Sequence, residues 1–228
     1  MQTRVDAKTD RKRDFGDSYV LMTGISREGL EAIAERDGGG RITFEDGEIE
    51  IMSPGRRHEK HRLALAEFVE IACEALGIDL VALGSTTLFG GDSGRAIEPD
   101  EAFVFDRAKL VAIESLDAAG EDDMARYPSP DLVIEIDMRS PARDRQAVYA
   151  AIEVVEVWEF DGETLTILRP DRSGAYLTVD RSGWLPVSAD RLGRLVAAEL
   201  PVNRTARQSL LREFVANLIK DEQPDQGT

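Results

Sequence analysis

The sequence predicts an α/β fold. Three observations predict it: Asp-Gly pairs at 46–47 and 161–162 each flanked by alternating runs, one long amphipathic helix over 56–77, and a continuous apolar run, LVIEI, at 132–136. With 228 residues, 42% of them apolar, the chain is long enough to bury a core, and the length prior favours one domain over 21–220. Residues 1–20 are polar and aperiodic and predict a flexible N-terminal arm, its RKR at 11–13 a solvated charge cluster. Residues 221–228 predict a disordered tail.

The elements follow in order. Ile25, Leu30, Ile33 and Ala34 mark a short helix that stops before Gly38-Gly39-Gly40. RITFEDGEIEIMSP reads as a hairpin about Asp46-Gly47, closed by Pro54 and Gly55. In the helix over 56–77, Leu65, Val69, Ala72 and Leu76 form one apolar stripe, with Glu67, Glu70 and Glu74 away from its centre and Gly77 as the stop. His58 and Arg62 extend that stripe toward the N-terminus, so His58 points inward, whereas His61 lies about 60° off it and is expected at the surface. Strand-like runs follow at 79–83, 86–89 and 101–105. A weak helix and a Pro-bounded loop fill 106–129. DLVIEID at 131–137 suits a strand covered on both faces. A helix over 143–153 leads into a second hairpin about Asp161-Gly162. A helical tail from Ala189 to Asp221, interrupted at Pro201, is anchored by Leu210, Leu211, Phe214 and Leu218. Trp158 and Trp184 are packing residues. GGDSG at 90–94 lacks the lysine of a phosphate-binding loop and reads as a turn.

Charge and cysteine usage narrow the function. The chain carries 28 basic and 44 acidic residues, a net charge of −16, which excludes a generally basic nucleic-acid coat but not a nuclease with local cations. One cysteine, Cys73, excludes an intrachain disulfide framework, and two histidines make a multi-histidine cage unworkable. No signal peptide and no run of about 18 apolar residues is present, so a cytoplasmic chain without a membrane partner is expected.

Two acids stand out. Glu135 lies inside the most apolar strand, where an unpartnered carboxylate is costly, so either a divalent cation or a hydrogen-bonded ion pair must compensate it. Asp100, in EPDEAFVF, begins a separate strand and can approach Glu135 directly. Asp131 cannot serve with Glu135, because the two lie about 13 Å apart along one strand. Asp137, roughly 6.6 Å beyond Glu135 on the same face, either joins the site or sits at the strand's wet end. Glu50 faces away from Ile49 and Ile51, as a third site carboxylate or a solvated strand residue. Arg56, Arg57, Lys60 and Arg62 gather positive charge where the long helix begins, suited to phosphate docking or to pairing with neighbouring acids.

A proline-aspartate followed by a glutamate in an apolar strand resembles the PD-(D/E)XK nuclease pattern. GEIEIMSP with a following His-Glu, then GSTT, IEPDEAFVF, DLVIEID and VYAA…VEVWEFDGETLTI, resemble the Uma-type restriction endonuclease family, long catalogued as a domain of unknown function. The resemblance runs from about residue 22 to 218 and implies a restriction-endonuclease-like mixed β-sheet flanked by helices, with a metal site at one end. It implies a metal-dependent endonuclease acting on DNA, with Mg2+ or Mn2+ held by Asp100 and Glu135 and an oxygen from the Ile136 backbone carbonyl. The usual E-x-K lysine would fall at Asp137; in the resembling family it often moves four residues before a tyrosine, which here is Arg145 before Tyr149. Arginine cannot act as the base but can stabilise transition-state charge. His58 matches the family's histidine after the MSP turn, either catalytic or bonded to nearby backbone. Arg139 and Arg143 would add to the basic face. A homodimer is expected for duplex cutting. The alternative reading is a weak or inactive member serving as a nucleic-acid or protein binding module.

Overall fold

The structure, a computed structural model, describes residues 5–7, 17–34, 40–90, 94–121, 123–138, 145–198 and 200–222. The RKR at 11–13, Arg139, Arg143 and the centre of GGDSG lie outside the described residues. The strands form two six-stranded sheets. The first holds β1 (Val5–Ala7), β2 (Ser18–Thr23), β3 (Arg41–Glu45), β4 (Glu48–Ser53), β6 (Leu88–Phe89) and β7 (Ala96–Ile97). Its order is β1-β2-β4-β3-β7-β6, antiparallel throughout. The second holds β5 (Val81–Ala82), β8 (Glu101–Val104), β9 (Leu132–Ile136), β10 (Glu156–Phe160), β11 (Leu165–Pro170) and β12 (Tyr176–Val179). It is mixed, in the order β12-β11-β10-β9-β8-β5, with β9 and β10 parallel. The described residues also form the α-helices α1 (Arg27–Ala34), α2 (Arg56–Leu76), α3 (Arg107–Ala118), α4 (Gln146–Ile152), α5 (Ala189–Ala197) and α6 (Arg204–Glu222), with a single 3-10 turn at Met124–Arg126.

Local chemistry explains the junctions. Asp46 and Gly47 both take positive φ, 51° and 79°, which a two-residue hairpin joining β3 to β4 requires. Gly77 takes φ 67° and closes α2 through N–H bonds to the Cys73 and Glu74 carbonyls. Asp106 caps α3 by accepting from Ala108 and Lys109 N–H. Asp131 accepts the Phe105 and Asp106 N–H groups and Lys109 Nζ, so it ties β8 to β9 and stays out of the site. Because β9 and β10 are parallel, the chain between them must cross over, and α4 is that crossover.

The mixed sheet divides the core. Leu132, Ile134, Ile136, Trp158 and Phe160 face α2, α5 and α6, while Ala102, Val133 and Val157 face Val148, Tyr149 and Ile152 of α4. Trp184 packs 5.3 Å from the Phe105 ring, between sheet and C-terminal helices.

Four expectations change. Part of the arm expected over 1–20 is sheet, since β1 pairs with β2, and β2 with β4; main-chain pairing holds it, which a polar pattern does not reveal. His61 is buried, 5% exposed, its ring centroid 5.0 Å from that of Phe160. The reason is that α2 is covered by the sheet on one side and by α5 and α6 on the other, so its buried arc is wider than one stripe. Glu67 is buried too, its carboxylate taking Arg207 Nε and Nη2 at 2.7 and 2.9 Å to clamp α6 onto α2. Of the tail expected over 221–228, Asp221 and Glu222 end α6 and the remainder lies outside the described residues.

Candidate active site

Strand register brings the two singled-out acids together. Glu101 pairs with Ile134 and Ala102 with Val133 across β8 and β9, so Asp100 continues the register opposite Glu135. With a side-chain period of two, Asp100 shares the face of Ala102, and Glu135 that of Val133. Those two apolar neighbours lie in one core cluster, so both acids project toward α4.

Both are almost dry, Asp100 at 0% and Glu135 at 3% exposure. Each is satisfied by protein donors. Asp100 Oδ2 accepts the Ile136 N–H at 2.6 Å, and Oδ1 accepts from His58 Nε2 at 2.8 Å. Arg41 Nε lies 2.7 Å from the same Oδ1 but off the line of a hydrogen bond, so it contributes charge more than direction. Glu135 Oε1 accepts from the Tyr149 hydroxyl, and Oε2 from Arg145 Nη1 at 2.8 Å. Arg145 and Tyr149 are one helical turn apart at the start of α4, so they present one face to Glu135.

Arg145 also reaches the other sheet. Its Nη2 stands 3.4 Å from Glu50 Oε1. Glu50 is 2% exposed, so it is a buried neighbour of the pair and not a solvated strand residue. Burial alone would lower the Arg145 pKa, but Glu135, Tyr149 and Glu50 hold it well above the ordinary value. Burial pushes Glu135 upward to about 7, assisted by Asp100 and opposed by Arg145 and the Tyr149 hydrogen bond. Tyr149 itself is raised by burial and by the Glu135 charge.

His58 closes the other end. Its Nδ1 meets Asp17 Oδ2 at 3.3 Å, while Asp17 Oδ1 accepts the Gly55 N–H at 2.7 Å. Burial would lower the imidazole pKa, but hydrogen bonds to Asp100 and Asp17 and their charges lift it to about 9. With a carboxylate at each ring nitrogen, this shift favours the imidazolium, in which both nitrogens donate, to Asp17 and to Asp100, and orient the Asp100 carboxylate.

Other anticipated residues divide. Asp137 follows the end of β9, half-buried, and its charge, with those of Asp17, Glu50 and Arg145, bears on Tyr19. Tyr19 is raised to about 12, first by burial. Arg62 is taken by Glu59 and Glu101, which removes it from the basic face. Arg56 and Arg57 are exposed and Lys60 half-exposed at the start of α2. Arg41, Asp17, Tyr19 and Tyr149 are the site residues that pattern reading did not assign.

The donor chemistry fits a hard divalent cation held sparsely. Among the described residues no three His, Cys, Asp or Glu side chains form a ready cage. Yet among the described residues Asp100 Oδ2 and both Glu135 oxygens accept one hydrogen bond each, which uses one of the two lone pairs of each, and a small cation that retains waters needs few carboxylates. The local charge agrees: buried Asp17, Glu50, Asp100 and Glu135 face His58, Arg145 and an Arg41 shared with Glu59.

A family model described as "Uma2: Putative restriction endonuclease" matches residues 28–202. No curated protein matches the chain. Among solved structures, a "putative nuclease belonging to DUF820" from Anabaena variabilis ATCC 29413 is similar at 19% identity and TM-score 0.47, over 82% of this chain and 99% of that one. The type IIG restriction endonuclease BpuSI is similar at 12% identity and TM-score 0.36, over 75% of this chain and 17% of that one.

Proposed function

The chain belongs to the Uma2 family, and on that premise we propose that it is a divalent-metal-dependent endonuclease hydrolysing DNA phosphodiester bonds. The observation that carries the reading is the meeting of Asp100 and Glu135 on one buried face of adjacent strands, opposite each other in register. Asp100 and Glu135 would hold Mg2+ or Mn2+, with Ile136 carbonyl, Glu50 and Asp137 as further oxygen donors. When bound, such an ion lowers the pKa of a ligated water and polarises the scissile phosphate.

The chain's own residues do the rest. His58 and the Ile136 N–H fix the Asp100 carboxylate in one orientation, and Tyr149 fixes Glu135. Arg145 stays protonated and carries positive charge in the place of the usual lysine, so its role is charge stabilisation and the proton from water leaves by another route. Arg56, Arg57 and Lys60, at the open end of α2, supply the local cations that DNA docking needs against a net charge of −16. A single domain over 21–220 would carry the site, and cutting both strands would call on two copies as a homodimer.

A second reading, a non-catalytic nucleic-acid or protein binding module, is favoured by one observation: every oxygen of Asp100 and Glu135 already accepts a protein donor. Plasmid cleavage separates the two. Nicking or linearisation in Mg2+ or Mn2+ that disappears in Glu135→Gln and Asp100→Asn supports the nuclease; absence of cleavage in wild type across both metals supports the module.

A further inference from the structure

Arg145 occupies an unusual position for a residue in the lysine role. One guanidinium spans two buried carboxylates from different sheets: Nη1 on Glu135 Oε2 of β9 at 2.8 Å and Nη2 toward Glu50 Oε1 of β4 at 3.4 Å. Among the described residues Arg145 is the cationic partner of the buried Glu50. Arg145 Nε is buried and finds no acceptor among the described residues. The side chain thus stands where positive charge is required, with one donor idle.

We propose that Arg145 is the internal counter-ion of the site, and that it competes with a divalent cation for Glu135. The inference rests on the metal-binding reading of Asp100 and Glu135 given above. A cation bonded to Glu135 must share or take the oxygen that Nη1 now holds, and two positive charges at one carboxylate oxygen repel each other. Metal binding then loosens the Arg145–Glu135 bond, and the freed guanidinium becomes available to an anion. The same competition makes the metal-free protein self-sufficient: the buried acids keep a partner when no ion is bound.

Three variants at two residues discriminate the outcomes. Mn2+ titration by calorimetry on wild type, Arg145→Gln, Arg145→Lys and Glu135→Gln gives the affinities directly, without any cleavage assay. Competition predicts tighter binding in Arg145→Gln by at least about tenfold, a change of ~1.4 kcal/mol. Arg145→Lys, which keeps the charge but cannot span two carboxylates, falls between Arg145→Gln and wild type. The thermal midpoint gives a second readout: Arg145→Gln melts lower than wild type without metal and gains more on adding Mn2+. Should Arg145→Gln not fold, Arg145→Lys against wild type carries the same comparison. Binding that is equal or weaker in the Arg145 variants, yet lost in Glu135→Gln, overturns the competition and leaves the metal site standing. Binding in none of the proteins overturns both.

Discussion

Replacing His58 with glutamine removes a cation from between two carboxylates that have almost no water. Asp17 and Asp100 are 4% and 0% exposed, so their charges depend on protein donors. After the change Asp17 keeps the Gly55 N–H, and Asp100 keeps the Ile136 N–H and the nearby Arg41. Removing one member of a buried charged network costs on the order of 3–5 kcal/mol. The pH dependence supplies a second magnitude. His58 rises from 6.5 to about 9, because the hydrogen bonds and charges of Asp100 and Asp17 outweigh the effect of burial. A folded pKa above the unfolded one stabilises fully below about pH 6.5, and that stabilisation is lost as pH rises through about 9. At about 1.36 kcal/mol per pH unit the loss amounts to roughly 3 kcal/mol. Urea unfolding between about pH 6 and 9.5, with the imidazole proton followed by NMR, measures both. Wild type should lose roughly that amount across the window, and His58→Gln should start lower and show a flatter profile. An imidazole titrating at or below its ordinary value, or equal slopes in the two proteins, would refute the fixed cation.

Two further outcomes follow from neighbouring residues. His61 is held down to about 4 by burial and by the charges of Arg57, Lys60 and His58, so its contribution is complete above about pH 6.5 and lost as pH falls through about 4. His61→Leu should therefore flatten the acid limb of stability by roughly 2–3 kcal/mol; comparing it with wild type separates this from Glu135, whose raised pKa acts with the opposite sign. An unchanged acid limb would contradict the buried, neutral ring. Replacing Arg56, Arg57 and Lys60 with glutamine should weaken duplex binding and reduce the salt slope of log K by about 2–3, read by fluorescence anisotropy across ionic strength. An unaltered slope would take the start of α2 out of the DNA face.

The site was legible where local pattern and burial coincide. Glu135 betrays itself as an acid within LVIEI, and Asp100 as the acid that opens an adjacent apolar strand. The inward direction of His58 follows from the stripe of α2. What could not be read is pairing between distant segments. Asp17 lies in a stretch with no periodicity, and its role depends on β2 adding to β4, a main-chain event that leaves no side-chain signature. Arg41 starts a strand like many others, and only the fold brings it to Asp100. Glu50 alternates with isoleucines as a solvated residue would, and it is dry because Arg145 arrives from α4. His61 shows the limit of a stripe argument: a helix covered on both sides buries residues that its apolar centre omits. The architecture follows the same division: the Asp-Gly hairpins and α2 are local, β5 and β6 fall inside the runs 79–83 and 86–89, and β7, which no run marked, exists through its partners β3 and β6.

Crystals grown or soaked in Mn2+ and measured at the manganese edge locate the ion without reference to activity. An anomalous peak within coordination distance of both an Asp100 and a Glu135 carboxylate oxygen is the result expected. Full-occupancy manganese bound elsewhere, with Arg145 still bridging Glu135 and Glu50, would contradict the metal centre on which the nuclease reading stands.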